Sequence, residues 1–199
     1  MIDQDGDENY QPMEIPITGG FPRPAFDNIF QNTRCHLGFI KDKRNICFII
    51  AESRDEGILR TYLCHFDSGD VEEIFTSSYG GFPAAMNDDF SKIVLIEGYM
   101  VGDSVAYLWE KEKGLKLIYG KPLEARKENE DVPLNAFGRG FFTDDGLIFE
   151  NAIFKDTYGL GYLNFDNPQK SVEIPFEGLK HSGRGEFVGF EPLDNGRFR

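Results

Sequence analysis

The pair Tyr-Leu recurs three times, at Tyr62-Leu63, Tyr107-Leu108 and Tyr162-Leu163, each time at the centre of a short apolar segment. Each segment runs into a polar turn: Asp67-Ser68-Gly69-Asp70, Lys111-Glu112-Lys113-Gly114 or Asp166-Asn167-Pro168-Gln169. Each turn leads into a second run of strand-forming residues, at 71–75, 115–119 and 172–176. Strand, polar turn and strand at this spacing make a β-hairpin. Upstream stands a more apolar run, at 46–51, 93–96 and 147–149, which suits a strand buried on both faces. A further short strand and turn precedes each run, at 39–40, 84–86 and 141–142. The unit therefore has four strands, A to D.

The intervals between successive tyrosines are 45 and 55 residues. A four-stranded unit repeating every ~40–50 residues marks the blade of a β-propeller. The longer interval places an insertion at 121–134, a charged stretch with two prolines, between strand D of one blade and strand A of the next. At the front, residues 13–26 read as strand C, a Gly19-Gly20 turn and strand D. At the back, 185–199 read as strand A, a Leu193-Asp194-Asn195-Gly196 hairpin turn and the start of strand B. The expected fold is all-β: a disordered acidic tail over 1–12, then a partial propeller over 13–199. Its blades span roughly 35–76, 83–119 and 137–176, with half blades at 13–26 and 185–199. A plain antiparallel sandwich and a four-bladed ring closed by the two half blades are the alternatives.

Composition agrees with sheet. Aromatic residues make up 14% of the chain, 19 of them Phe, and such residues fit a pleated, half-buried surface. The formal net charge is -13. That balance argues against nucleic acid, which needs basic groups to displace counterions, and against an anionic membrane surface. It leaves cationic or neutral partners. No stretch reaches the ~20 apolar residues of a membrane span. Three cysteines, Cys35, Cys47 and Cys64, form no disulfide framework, so reduced thiols in a cytoplasmic protein are expected.

Several turns resemble blades of the prolyl oligopeptidase family of serine peptidases and of TolB-like propellers. Those blades often carry Ser-Pro-Asp-Gly between strands A and B, followed by a basic residue and an apolar run. Thr143-Asp144-Asp145-Gly146-Leu147-Ile148-Phe149 is similar, as is Pro192-Leu193-Asp194-Asn195-Gly196-Arg197-Phe198. Ile15-Pro16-Ile17-Thr18-Gly19-Gly20-Phe21-Pro22 resembles the family's turn between strands C and D. The turns at 41–45 and 87–91 depart from the pattern. The resemblance implies a non-catalytic propeller that gates peptide access to an α/β-hydrolase domain absent from this chain. The alternative is a TolB-like propeller that binds a protein or peptide partner with no enzymatic role.

Four motifs invite chemistry. Thr76-Ser77-Ser78-Tyr79-Gly80-Gly81 resembles the family's nucleophile run Gly-x-Ser-Tyr-Gly-Gly, but Thr76 replaces the leading Gly and no helix pattern follows. A nucleophile elbow needs strand, sharp turn and helix, so Ser78 is expected in a connecting loop. Cys35-His36 and Cys64-His65 lack zinc-site spacing, and Cys47 and Cys64 are expected to pack on neighbouring strands. Gly138-Arg139-Gly140, Gly159-Leu160-Gly161 and Gly183-Arg184-Gly185 lack the full phosphate-loop fingerprint. No cofactor, metal or catalytic residue is expected. Glu52, Glu97 and Glu150 each end a B strand, 11, 11 and 13 residues before Leu63, Leu108 and Leu163. Matching registers in successive blades would set them on one rim, as a substrate-gating acidic arc or as solvated loop carboxylates.

Overall fold

A computed structural model describes residues 1–3, 5–41, 44–133, 135–176, 187–191, 193 and 197–198. The chain divides into two compact units, Met1–Pro83 and Ala84–Arg199.

In the first unit, β1 (Met13–Glu14) pairs antiparallel with β2 (Arg23–Asn28). A four-stranded antiparallel sheet follows, with β3 (Thr33–Lys41), β4 (Ile46–Ser53), β5 (Leu59–His65) and β6 (Val71–Ser77) in chain order. Residues 46–51 of β4 are buried without exception. A second strand covers each edge of β4 and apolar packing covers both faces, as a continuous apolar run requires. Phe26 and Phe30 join Cys35, Cys47, Ile49, Ala51 and Cys64 in one core, which seats β2 on the larger sheet. The first twelve residues, expected as a disordered tail, carry main-chain pairing. Ile2 and Gln11 exchange hydrogen bonds of 3.0 and 2.8 Å, and the Cys35 amide donates to Tyr10 O at 3.0 Å. Polar side chains suggested disorder there, but the backbone amides and carbonyls find strand partners regardless of side chain.

The other two sheets are β7 (Phe82–Met86), β8 (Lys92–Met100), β9 (Asp103–Glu110) and β10 (Gly114–Tyr119), then β11 (Phe137–Phe142), β12 (Gly146–Asn151), β13 (Gly159–Asn164) and β14 (Val172–Ile174). β7 straddles the division between units, and the remainder lies in the second unit. Val94, Ala106, Leu108 and Ile118 share a core with Phe137, Leu147, Phe149 and Leu163 of the following sheet. Phe137 stacks on Phe149 at 4.2 Å between centroids.

The repeated tyrosines hold one register. Tyr62, Tyr107 and Tyr162 lie opposite Ile49, Leu95 and Ile148. The leucines that follow them are all buried. The sheets span 33–77, 82–119 and 137–174, against expected blades of 35–76, 83–119 and 137–176. The expected rear half blade falls largely outside the described residues. Its described residues, 187–191, 193 and 197–198, lie in no named strand, the Leu193 amide donates to Arg197 O at 2.7 Å, and Phe190 packs edge-on against Phe141 at 4.9 Å.

Candidate binding surfaces

Glu97 lies opposite Val105, and Glu150 opposite Leu160, each two positions beyond the residue facing the tyrosine. Glu52 lies opposite Leu59, three positions beyond Ile49, and Ala51 holds the equivalent place. A one-residue offset turns a side chain to the other face of its sheet. Counting back from Leu63 misses this because the count crosses the turn between strands B and C. That turn has five residues at 54–58, two at 101–102 and seven at 152–158.

The three carboxylates have different surroundings. Glu52 is about half exposed and sits 3.7 Å from His36 Nε2. Glu97 is buried, and its Oε2 accepts hydrogen bonds from Tyr99 OH at 2.9 Å and Tyr107 OH at 3.4 Å. Burial, then the nearby Glu97 charge, pushes the Tyr107 phenol up to about 12, and burial raises Tyr99 as well. Both phenols therefore keep their protons and donate. Glu150 is partly buried over Gly138, where a Cβ would stand 3.1 Å from Oε2, so the glycine makes room for the carboxylate.

Residues 121–133 of the insertion fold back over this end of β8 and β9. It forms a 3₁₀ turn, Leu123–Ala125, preceded by Pro122. Arg126 then grips Asp103 with both terminal nitrogens, at 2.6 and 2.8 Å, and donates from Nε to Lys121 O at 2.8 Å. Its guanidinium lies 4.9 Å from the centre of the Tyr99 ring. The fork geometry makes this a strong charge-assisted pair, and both side chains are mostly buried. In the sequence the insertion is a charged stretch in which nothing sets Arg126 apart from its neighbours.

Arg126 holds the Asp103 carboxyl below the usual carboxylate range, chiefly through its hydrogen bonds. A depressed folded value means the pair stabilises fully above about pH 4, where the unfolded carboxyl is already ionised. The contribution is lost as pH falls through the folded value. The Arg126 amide, which donates to Leu123 O at 3.0 Å, should show exchange that accelerates below about pH 4 once intrinsic rates are removed. Asp103→Asn should abolish that step. Identical pH profiles for the two proteins would disprove the clamp.

Ser78 stands in the link 78–81 between β6 and β7, which leads into a strand rather than a helix. Thr61 Oγ1 donates to Gly81 O at 2.6 Å, tying the link to the sheet. Cys47 and Cys64 face each other across β4 and β5, and all three cysteines are buried and free. Burial pushes the Cys35 thiol up to about 11. Gly138 and Gly140 lie in β11, and Gly159 and Gly161 in β13, while 183–185 fall outside the described residues. At Gly140 and Gly161 a Cβ would come within 2.9 Å of Leu147 or Phe149, so these glycines serve close packing.

Two concavities have mainly apolar linings. In the second unit, a cleft of about 300 Å³ is lined by Val101, Gly102, Ala136, Ile153, Phe154 and Tyr158, among others. In the first unit, a cavity of about 820 Å³ lies among the N-terminal residues, β1, β2 and the turn at 29–31. Among the described residues, no helix is long and apolar enough to cross a membrane.

No protein-family model and no curated protein matches the sequence. The fold is similar to the crystal structure of TolB from Acinetobacter baumannii, with a TM-score of 0.52 and 12% sequence identity. The match covers 92% of this chain and 40% of TolB, so the chain spans about two fifths of that protein. At this identity the likeness concerns the fold alone. With its four-stranded antiparallel sheets, the chain is a partial β-propeller.

Proposed function

We propose that this chain is a non-catalytic propeller portion that binds a protein partner through the loop end of its second unit. The observation that carries this reading is a group of apolar side chains held out on short, pinned turns. Met100 is 70% and Val101 96% exposed at the two-residue turn between β8 and β9. Phe154 and Tyr158 stand partly exposed beside the cleft of about 300 Å³ that Val101 also lines. The turn is braced from below: the Asn135 backbone N–H donates to Gly102 O at 2.6 Å, and the Asn135 Oδ1 accepts from Ser104 Oγ at 2.9 Å. Exposed apolar residues grouped at a cleft are the usual form of an interface anchor, and a rigid support lowers the entropy cost of binding. The narrower reading, a gate over a hydrolase domain, rests on turn resemblance alone and contributes no residue to this surface.

A photo-crosslinking residue at Val101 or Tyr158 should form a discrete protein adduct in cells, and one at Lys113 should not. Met100→Asp with Phe154→Asp should remove the adduct while leaving the fold intact. Equal labelling from position 113 would defeat the proposal.

A further inference from the structure

We infer that the cavity of about 820 Å³ in the first unit is a second binding site, one that takes an extended basic segment of a partner protein. It shares no residue with the loop end of the second unit and stands independently of it.

The cavity's chemistry selects the ligand. The charged residues lining it are Asp3, Asp5 and Asp27, and no Lys or Arg is among them. Its apolar surface comes from Ile2, Met13, Phe21 and three prolines, over a floor at Phe30, which is 3% exposed. Phe21 is 96% exposed at the mouth. A volume of this size falls within the range of about 300–1,000 Å³ typical of ligand pockets. An acidic rim over apolar walls favours a ligand that alternates cationic and apolar groups.

The backbone supplies the second argument. β1 pairs only with β2, and among the described residues nothing pairs with its other edge. The Ala25 amide donates to Pro12 O at 2.9 Å, and Met13 lies opposite Pro24, which has no amide hydrogen. In an antiparallel ladder the hydrogen-bonding direction alternates. Met13 therefore turns its N–H and C=O to the open edge, and Met13 also lines the cavity. An added strand can pair there, with alternate side chains directed to opposite sides. Leucines on one side would meet the proline and Phe30 surface, and arginines on the other would meet the aspartates. The acidic start of the chain, set aside from sequence as a tail, supplies two of the three carboxylates.

The test uses the full 199-residue chain and two fluorescein-labelled synthetic heptapeptides, one alternating Arg and Leu and one alternating Glu and Leu. The Arg-Leu peptide should bind saturably at one site, and the Glu-Leu peptide should not. Asp3→Asn with Asp5→Asn and Asp27→Asn should weaken binding about tenfold or more. Asparagine suits the left-handed backbone at Asp5 and Asp27, so melting temperature should be unchanged. A second triple variant, Asp88→Asn, Glu112→Gln and Asp166→Asn, removes the same charge from exposed sites elsewhere. It should weaken binding less than about twofold. The Met13 amide resonance should shift on titration. Absence of saturable binding, equal losses in the two triple variants, or an unmoved Met13 amide would each overturn the inference. Val101→Asp, which impairs the proposed loop-end surface, should leave this binding unchanged, so the two readings can fail separately.

Discussion

Leu108→Ala is expected to cost about 2–5 kcal/mol, whereas Lys116→Ala should cost under about 1 kcal/mol. Leu108 is 3% exposed and packs in the core that joins the two sheets of the second unit. Truncation removes buried methyl groups and leaves a cavity among side chains carried on paired strands, such as Val94 and Phe149, which relax little. Lys116 lies on edge strand β10 and is exposed. Its Nζ donates to Phe165 O at 2.8 Å, a solvent-exposed bond that contributes little. Trp109, the single tryptophan, is 5% exposed beside Leu108 on β9, so its emission reports this unit's unfolding directly. Urea titrations followed at Trp109 should separate the two variants clearly. Coincident midpoints would mean that the repeated leucine does not carry the core.

Strands B and C were legible because their signals reinforce one another. The runs at 46–51, 93–96 and 147–149 are apolar enough to require cover on both faces, and Tyr-Leu marks the strand beside each. What escaped was anything decided across a turn or by tertiary pairing. Glu52 fell out of register because turns of unequal length separate strands B and C. The clamp between Arg126 and Asp103 joins residues from different loops, and neither stands out in a charged segment. The tyrosines show the same limit. Tyr62 meets the Phe30 ring edge-on at 5.3 Å, Tyr107 reaches Glu97 and Tyr162 reaches Asp145. Repetition in sequence predicted a common position, not a common partner, because the groups around that position differ from sheet to sheet: an aromatic ring in the first, a buried carboxylate in the second and a turn aspartate in the third.

Gly146→Ala should be the most damaging single methyl in the second unit, costing about 3 kcal/mol or more. The reason is steric. A Cβ at Gly146 would stand 2.2 Å from Leu163 O and 2.9 Å from the Tyr162 ring. The carbonyl belongs to β13, which pairs with β12 along its whole length, so it cannot withdraw without breaking the ladder. Tyr162 crosses the same space so that its hydroxyl can donate to Asp145 Oδ1 at 2.7 Å, while Asn164 Nδ2 donates to Oδ2 at 3.1 Å. These bonds, the Tyr162 hydroxyl first, hold the Asp145 carboxyl below the usual carboxylate range. The Asp-Gly pair that resembles a family turn thus has a local cause: aspartate accepts from the next strand, and glycine leaves the gap through which tyrosine arrives. Gly98→Ala is the control. Gly98 is also in a strand, has nothing within 4 Å of a built Cβ and adopts no positive φ. Alanine there should be neutral or stabilise by up to about 1 kcal/mol, since it restricts the unfolded chain. Tyr162→Leu should cost less than Gly146→Ala, because it removes the ring and its bond but leaves the carbonyl undisturbed. Similar midpoints for the Gly146 and Gly98 variants would place the strain elsewhere and remove the physical basis for glycine at this turn.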